Sequence, residues 1–141
     1  MNEKFIKAIA VGFVGFGLHA GISLVEYQEQ CNALQGLHEA LIRQVDPRMG
    51  FTDGEARRTQ AQATANAHAG IGIANSLHII GLARDKFLTI DHKVTFDPKK
   101  YLAAGVLWEQ LGRGFGIPTV WGGRWKSADA VHFSCKWKGV E

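Results

Sequence analysis

The stretch Ser76–Phe96, SLHIIGLARDKFLTIDHKVTF, decides how this chain folds. Within it, Ala83 to Ile90 alternates enough to form a half-buried strand. Asp91-His92-Lys93 supplies turn residues, and Val94 to Phe96 runs back as a second strand, so the stretch reads as a β-hairpin. Upstream of the strand Gly81 tolerates backbone angles that other residues avoid, so Ser76 to Leu82 reads as a bent loop.

Outward from the hairpin, strands and helices mix without regular alternation. Glu26 to Val45 is an amphipathic helix, with Leu34, Leu37, Leu41 and Val45 as its apolar stripe and Asp46-Pro47 as its stop. Met49 to Thr52 is a short strand leading into Gly54-Glu55-Ala56-Arg57-Arg58-Thr59. An alanine-rich helix covers Thr59 to Ala69 and ends at Gly70, followed by a glycine-punctuated loop to Asn75. Asp97-Pro98 opens a helix with Tyr101, Leu102, Val106, Leu107 and Leu111 inside, closed by Gly112, Gly114 and Gly116. Thr119–Trp121 and Val131–Trp137 are further strands. This order predicts an α+β fold, a small antiparallel sheet flanked by helices.

A length of 141 residues suits one domain, and 46% hydrophobic against 21% charged residues suits a globular chain. The net charge of +3 and pI near 9.0 favour an anionic polymer such as cell wall or membrane lipid. No dense Lys/Arg run with interleaved aromatics occurs, which argues against nucleic acid. Cys31 and Cys135 lack paired-ligand spacing. One disulfide and two free thiols are both open.

Ala8 to Val25 gives 18 residues without a formal charge. As a helix it would reach about 27 Å, just short of a roughly 30 Å hydrocarbon core. Lys4 and Lys7 precede it, and Glu26 and Glu29 follow, which would keep the N-terminus inside and place the remainder across the membrane. Three readings stand: a cleavable export signal, a weak anchor associating transiently through residues 8–25, or a buried apolar helix. The expected division is residues 1–27 as this segment and 28–141 as the functional domain.

Two histidines and two aspartates carry the chemistry. His78 and Asp85 sit in the quoted stretch, and Asp129-Ala130-Val131-His132-Phe133 lies near the C-terminus. A catalytic zinc takes three protein ligands and keeps an open position for water, with a carboxylate nearby to accept a proton. His78, Asp85 and His132 fill the ligand roles and Asp129 the base. On one straight helix His78 and Asp85 would lie about 10 Å apart, so the chain must bend at Gly81. Asp129 must occupy the loop before a strand carrying His132, because residues three apart on a strand face opposite ways. His19, His38, His68 and His92 read as surface or hydrogen-bonded residues. Spacing alone leaves a metal site and ordinary structural roles equally open.

The combination Ser76-x-His78-x-x-Gly81-x-Ala83-x-Asp85, then Trp121-Gly122-Gly123-x-Trp125 and Asp129-x-x-His132-Phe133, resembles the zinc peptidases of bacterial cell walls. That family includes D-Ala-D-Ala carboxypeptidases and phage L-alanyl-D-glutamate endopeptidases, and shares a metal-site fold with the hedgehog signalling domain. The Trp-Gly-Gly block looks closest to the phage endolysin branch. The resemblance implies Zn2+ held by His78, Asp85 and His132, with Asp129 as catalytic carboxylate and Arg58 steadying substrate or oxyanion. Ser76, Trp121 and Trp125 are the candidates for substrate contact, with turn capping for Ser76 and buried packing for the two tryptophans equally open. The resemblance implies hydrolysis of a bond in the peptidoglycan stem peptide, L-Ala-D-Glu foremost, by a monomer of phage or prophage origin. The alternatives are a D,D-carboxypeptidase with the same site and a non-catalytic zinc-containing wall-binding module. Such an enzyme would act in periplasm or cell wall after export, or wait in host cytoplasm before lysis. Arg84 and Lys86 stand where the family more often has apolar residues, and alternation turns both away from the metal.

Overall fold

The computed structural model describes residues 21–54 and 76–141. Residues 8–20 of the apolar run, the Thr59–Ala69 helix, the Gly70–Asn75 loop, Arg58, His19 and His68 lie outside the described residues.

Helix α1 spans Leu24–Val45. It starts two residues before the expected Glu26 because Ser23-x-x-Glu26 is a capping box. The Glu26 N–H donates to Ser23 Oγ (3.2 Å), and the Ser23 N–H donates to Glu26 Oε2 (2.9 Å). The last residues of the apolar run therefore belong to this helix start. No helix among the described residues is long and apolar enough to cross a membrane. The buried face of α1 is Tyr27, Cys31, Leu34, Gln35, His38 and Ile42. Of the expected stripe only Leu34 is fully buried, while Leu37, Leu41 and Val45 are partly covered. The true face includes Gln35 and His38, which a count of apolar residues passes over.

Strand β1 is Met49–Asp53, β2 is Ala83–Ile90, β3 is Lys93–Val94, β4 is Thr119–Trp121 and β5 is His132–Cys135. All pairings are antiparallel, in the order β1-β2-β5-β4, with β3 joined to β2. The turn between β2 and β3 is two residues, Asp91 and His92, both at positive φ (50° and 62°). This tighter primed geometry matches the strand twist and brings Lys93, expected in the turn, into the strand.

A 3-10 turn at Pro98–Tyr101, capped by Asp97, leads into helix α2, Leu102–Phe115. Its inner face is Ala104, Leu107, Trp108, Leu111 and Phe115. Leu102, expected inside, is 50% exposed, and Val106 is only partly covered. The i, i+3, i+4 series from Ala104 sets the face, not the leucines alone. Gly112 and Gly114 do not end the helix. Gly112 lets β4 approach closely, since a Cβ there would stand 2.1 Å from Thr119 Oγ1. Gly116, at φ 68°, makes the left-handed stop.

Both helices cover one face of the sheet. Alternation sends Arg84, Lys86 and Leu88 of β2 toward them and Asp85 to the opposite face. Phe133 of β5 pairs with Arg84 and Trp121, so it joins the helix-side core with Trp108, whereas His132 pairs with Asp85. The disulfide Cys31–Cys135 ties α1 to β5, with Cα atoms 6.1 Å apart. This settles the cysteine question.

Candidate metal centre

His78 stands in a compact turn ahead of β2. Its backbone N–H donates to Ser76 Oγ (3.2 Å), the Ile79 N–H to the Ser76 carbonyl (3.1 Å), and the Leu82 N–H to the Leu77 carbonyl (3.0 Å). Gly81, at φ 69°, turns the chain into the strand, the bend that the spacing of His78 and Asp85 requires. Ser76 is buried, and its hydroxyl shapes the turn that carries His78.

Asp85 and His132 are direct cross-strand partners and share a sheet face. Asp85 Oδ1 lies 3.3 Å from His78 Nε2 and 3.5 Å from His132 Nδ1. One ligand atom from each of the three residues falls within 4.8 Å of the others. Around a tetrahedral zinc with ligand bonds of about 2.0–2.1 Å, neighbouring ligand atoms stand about 3.3 Å apart. Both carboxylate–imidazole spacings fit that edge.

Asp85 Oδ1 is buried between two imidazole nitrogens at ion-pair distance, and among the described residues neither makes a well-aligned hydrogen bond to it. A buried carboxylate oxygen with only long, poorly aligned donors is under-satisfied. A cation held between the carboxylate and the imidazole lone pairs fits these spacings. His132 Nε2 is likewise buried without a partner among the described residues. Two neutral imidazoles and one carboxylate form a donor set suited to zinc. Burial works to raise the Asp85 pKa, but the His132 and His78 imidazoles outweigh it and hold the carboxyl well below the ordinary carboxylate range.

Asp129 lies in the loop before β5, where the sequence required it. Its N–H donates to the Gly122 carbonyl (2.9 Å), its own carbonyl accepts from the His132 N–H (3.2 Å), and its carboxylate accepts from the Val131 N–H. This last bond is an Asx-type turn that fixes the side chain beside the triad. Burial, then the negative charge of Asp85, pushes the Asp129 pKa above the ordinary carboxylate value. Gly122 makes the approach feasible. A Cβ there would stand 2.5 Å from the Asp129 carbonyl and 2.9 Å from His132 Cβ.

The two tryptophans separate. Trp125 is half-buried, its ring 4.7 Å from that of His132. Trp121, open on sequence between cleft wall and buried packing, is 4% exposed and faces the helices, because its register partner is Phe133 rather than His132. Its ring occupies the space left by Gly105 and Gly123, and its indole N–H donates to the Ala130 carbonyl (2.8 Å). Trp121 is a packing residue that supports the loop.

Lys86 and His38 escaped the sequence reading as partners. Lys86 is 1% exposed and sits behind Asp85, its Nζ 2.6 Å from His38 Nδ1 and within about cation–π reach of the Phe51, Phe133 and Trp108 rings. His38 Nε2 is 2.9 Å from the Ala104 carbonyl, which fixes the tautomer: Nε2 donates there and Nδ1 accepts from Lys86. Burial brings the Lys86 pKa down to about 7 and drives that of His38 well below its ordinary value. Gly54 is a further site-supporting residue. Its N–H donates to the Asp85 carbonyl (2.7 Å), and a Cβ would stand 2.5 Å from that oxygen.

Comparison with protein-family descriptions and with curated proteins gives no match. Among solved structures, the chain is similar to the L-Ala D-Glu endopeptidase ChiX of Serratia marcescens. The two are 27% identical over 73% of this chain and 83% of that one, with a TM-score of 0.58. The antiparallel sheet with helices on one face is therefore an architecture shared with a peptidase.

Proposed function

We propose that this chain is a zinc metallopeptidase that hydrolyses a peptide bond in the stem peptide of bacterial peptidoglycan, the L-Ala–D-Glu bond. The observation that carries the proposal is the buried Asp85 oxygen between two imidazole nitrogens, in a fold similar to an L-Ala D-Glu endopeptidase. His78 Nε2, Asp85 Oδ1 and His132 Nδ1 would hold the metal. Bound there, zinc would act as a Lewis acid, acidifying water and polarising the scissile carbonyl.

The remaining work falls to the chain's own groups. Asp129, raised in pKa yet anchored by the Val131 N–H, takes a proton from the attacking water and returns it to the nitrogen of the leaving amine. Trp125, tilted against the His132 ring, forms a cleft wall against which the stem peptide lies. Arg58 supplies a fixed positive charge for the developing oxyanion. Its role rests on the motif resemblance alone.

Purified peptidoglycan incubated with the full chain and zinc tests the proposal by mass spectrometry of the released muropeptides. New N-terminal D-glutamate is expected. Released D-alanine would instead indicate a D,D-carboxypeptidase, and wall binding without hydrolysis under any metal a non-catalytic module. Asp129→Ala should retain zinc and lose at least about 100-fold in turnover, the usual contribution of a positioned acid–base group. His78→Ala and His132→Ala should lose the metal, read by elemental analysis. Zinc loss in Asp129→Ala would make Asp129 a ligand or its support.

A further inference from the structure

Helix α1 carries two glutamines seven residues apart, Gln28 and Gln35, and each spends its amide N–H on the segment bearing one imidazole. Gln28 Nε2 donates to the Ile80 carbonyl (2.7 Å), two residues beyond His78. Gln35 Nε2 donates to the Phe133 carbonyl (2.9 Å), one residue beyond His132. Seven residues are about two helical turns and 10.5 Å along the axis, so one rigid element spans both attachments. The segments it joins are unlike. His132 is on a strand paired on both sides, whereas His78 is on a turn outside the sheet.

Gln35 also bears an energetic signature. It is 2% exposed, and its Oε1 is buried without a hydrogen-bond partner among the described residues. An apolar side chain of similar size would avoid that uncompensated oxygen. A residue that only filled space has no reason to keep an amide there. Its donor does.

Resting on the metal-site reading above, we infer that Gln28 and Gln35 are positioning residues that set the spacing of His78 and His132 and thereby the affinity of the site for zinc. Groups that orient metal ligands from outside typically govern affinity by about 10–100-fold. Gln28 ties the His78 turn, which packs into the core through Leu77 and Leu82, to the helix, and Gln35 holds β5 at the same helix two turns on. Neither touches substrate or metal.

The test compares full-length wild type with Gln28→Met, Gln28→Glu, Gln28→Lys and Gln35→Met. Zinc affinity is read by competition with a chromophoric chelator, and thermal unfolding is followed on the metal-stripped proteins. Gln28→Met, Gln28→Glu and Gln35→Met should bind zinc about 10–100-fold more weakly. Metal-free Gln35→Met exchanges one unsatisfied buried oxygen, Gln35 Oε1, for another, the Phe133 carbonyl, and should melt within a few degrees of wild type. Gln28→Lys restores a donor and should recover affinity to within about threefold. Glutamate matches glutamine in size but has no amide proton, so a space-filling role would leave Gln28→Glu unchanged. Wild-type affinity in the three weakened variants overturns the inference, as does a loss that only tracks a falling metal-free melting temperature. A wild type that binds no zinc removes the metal-site reading together with this inference, a result distinct from wild-type binding unaffected by the substitutions.

Discussion

Gly122 and Gly36 show how differently one residue type is used in this chain. At Gly122 the backbone passes so close to Asp129 and His132 that a methyl group overlaps both, whereas at Gly36, on the exposed side of α1, nothing lies within 4 Å. Gly122→Ala is therefore expected to displace the loop, weaken zinc binding and destabilise by about 1–3 kcal/mol, the range for overpacking. Gly36→Ala is expected to stabilise by about 0.5–1 kcal/mol through helix propensity, with zinc affinity unchanged. Denaturant unfolding paired with chelator competition checks both. Equal effects of the two substitutions would contradict this account of Gly122.

Among the elements, β2 organises the molecule: β1 lies along one edge, β3 and β5 along the other. Its limits, Ala83 to Ile90, were legible because Gly81 and the Asp91-His92 turn punctuate them. The turn itself is conformationally strained, since Asp91 and His92 both hold positive φ. His92→Gly should relieve about 1–2 kcal/mol of left-handed strain against about 0.5–1 kcal/mol of backbone entropy, a net gain of about 1 kcal/mol at most, read as a higher denaturant midpoint at unchanged slope. A lower midpoint would show that the His92 side chain contributes more than its backbone strain takes away. Helix faces were less legible than strand limits. Apolar spacing in α1 pointed to Leu37, Leu41 and Val45, but the buried face runs through Gln35 and His38, whose Nε2 groups find their carbonyl partners only in the folded molecule. Likewise nothing local marks Trp121 as a packing residue. Its orientation follows from pairing with Phe133, a long-range register.

At the scale of the whole molecule, the site is an agreement between distant segments. His78, Asp85, Asp129 and His132 could be picked from the sequence because their chemical types and motif spacing are unusual together. Their convergence needed the β2–β5 register, which no local pattern encodes. The Cys31–Cys135 disulfide, whose ends are separated by 104 positions in sequence, fixes α1 against β5 and so joins the helix to the strand bearing His132. Closing so long a loop restricts the unfolded chain, and a native disulfide in a small domain is typically worth about 2–5 kcal/mol. Unfolding in denaturant with and without reductant should show a loss in that range, and Cys31→Ser/Cys135→Ser should reproduce it. An unchanged midpoint after verified reduction would contradict that role.

The central claim is that His78, Asp85 and His132 hold one divalent cation. Anomalous diffraction at the zinc edge, from crystals of the zinc-loaded protein, tests it most directly. The account predicts a single strong peak about 2.0–2.2 Å from His78 Nε2, Asp85 Oδ1 and His132 Nδ1. Absence of a peak between these three atoms, or zinc bound only by other residues, would contradict it.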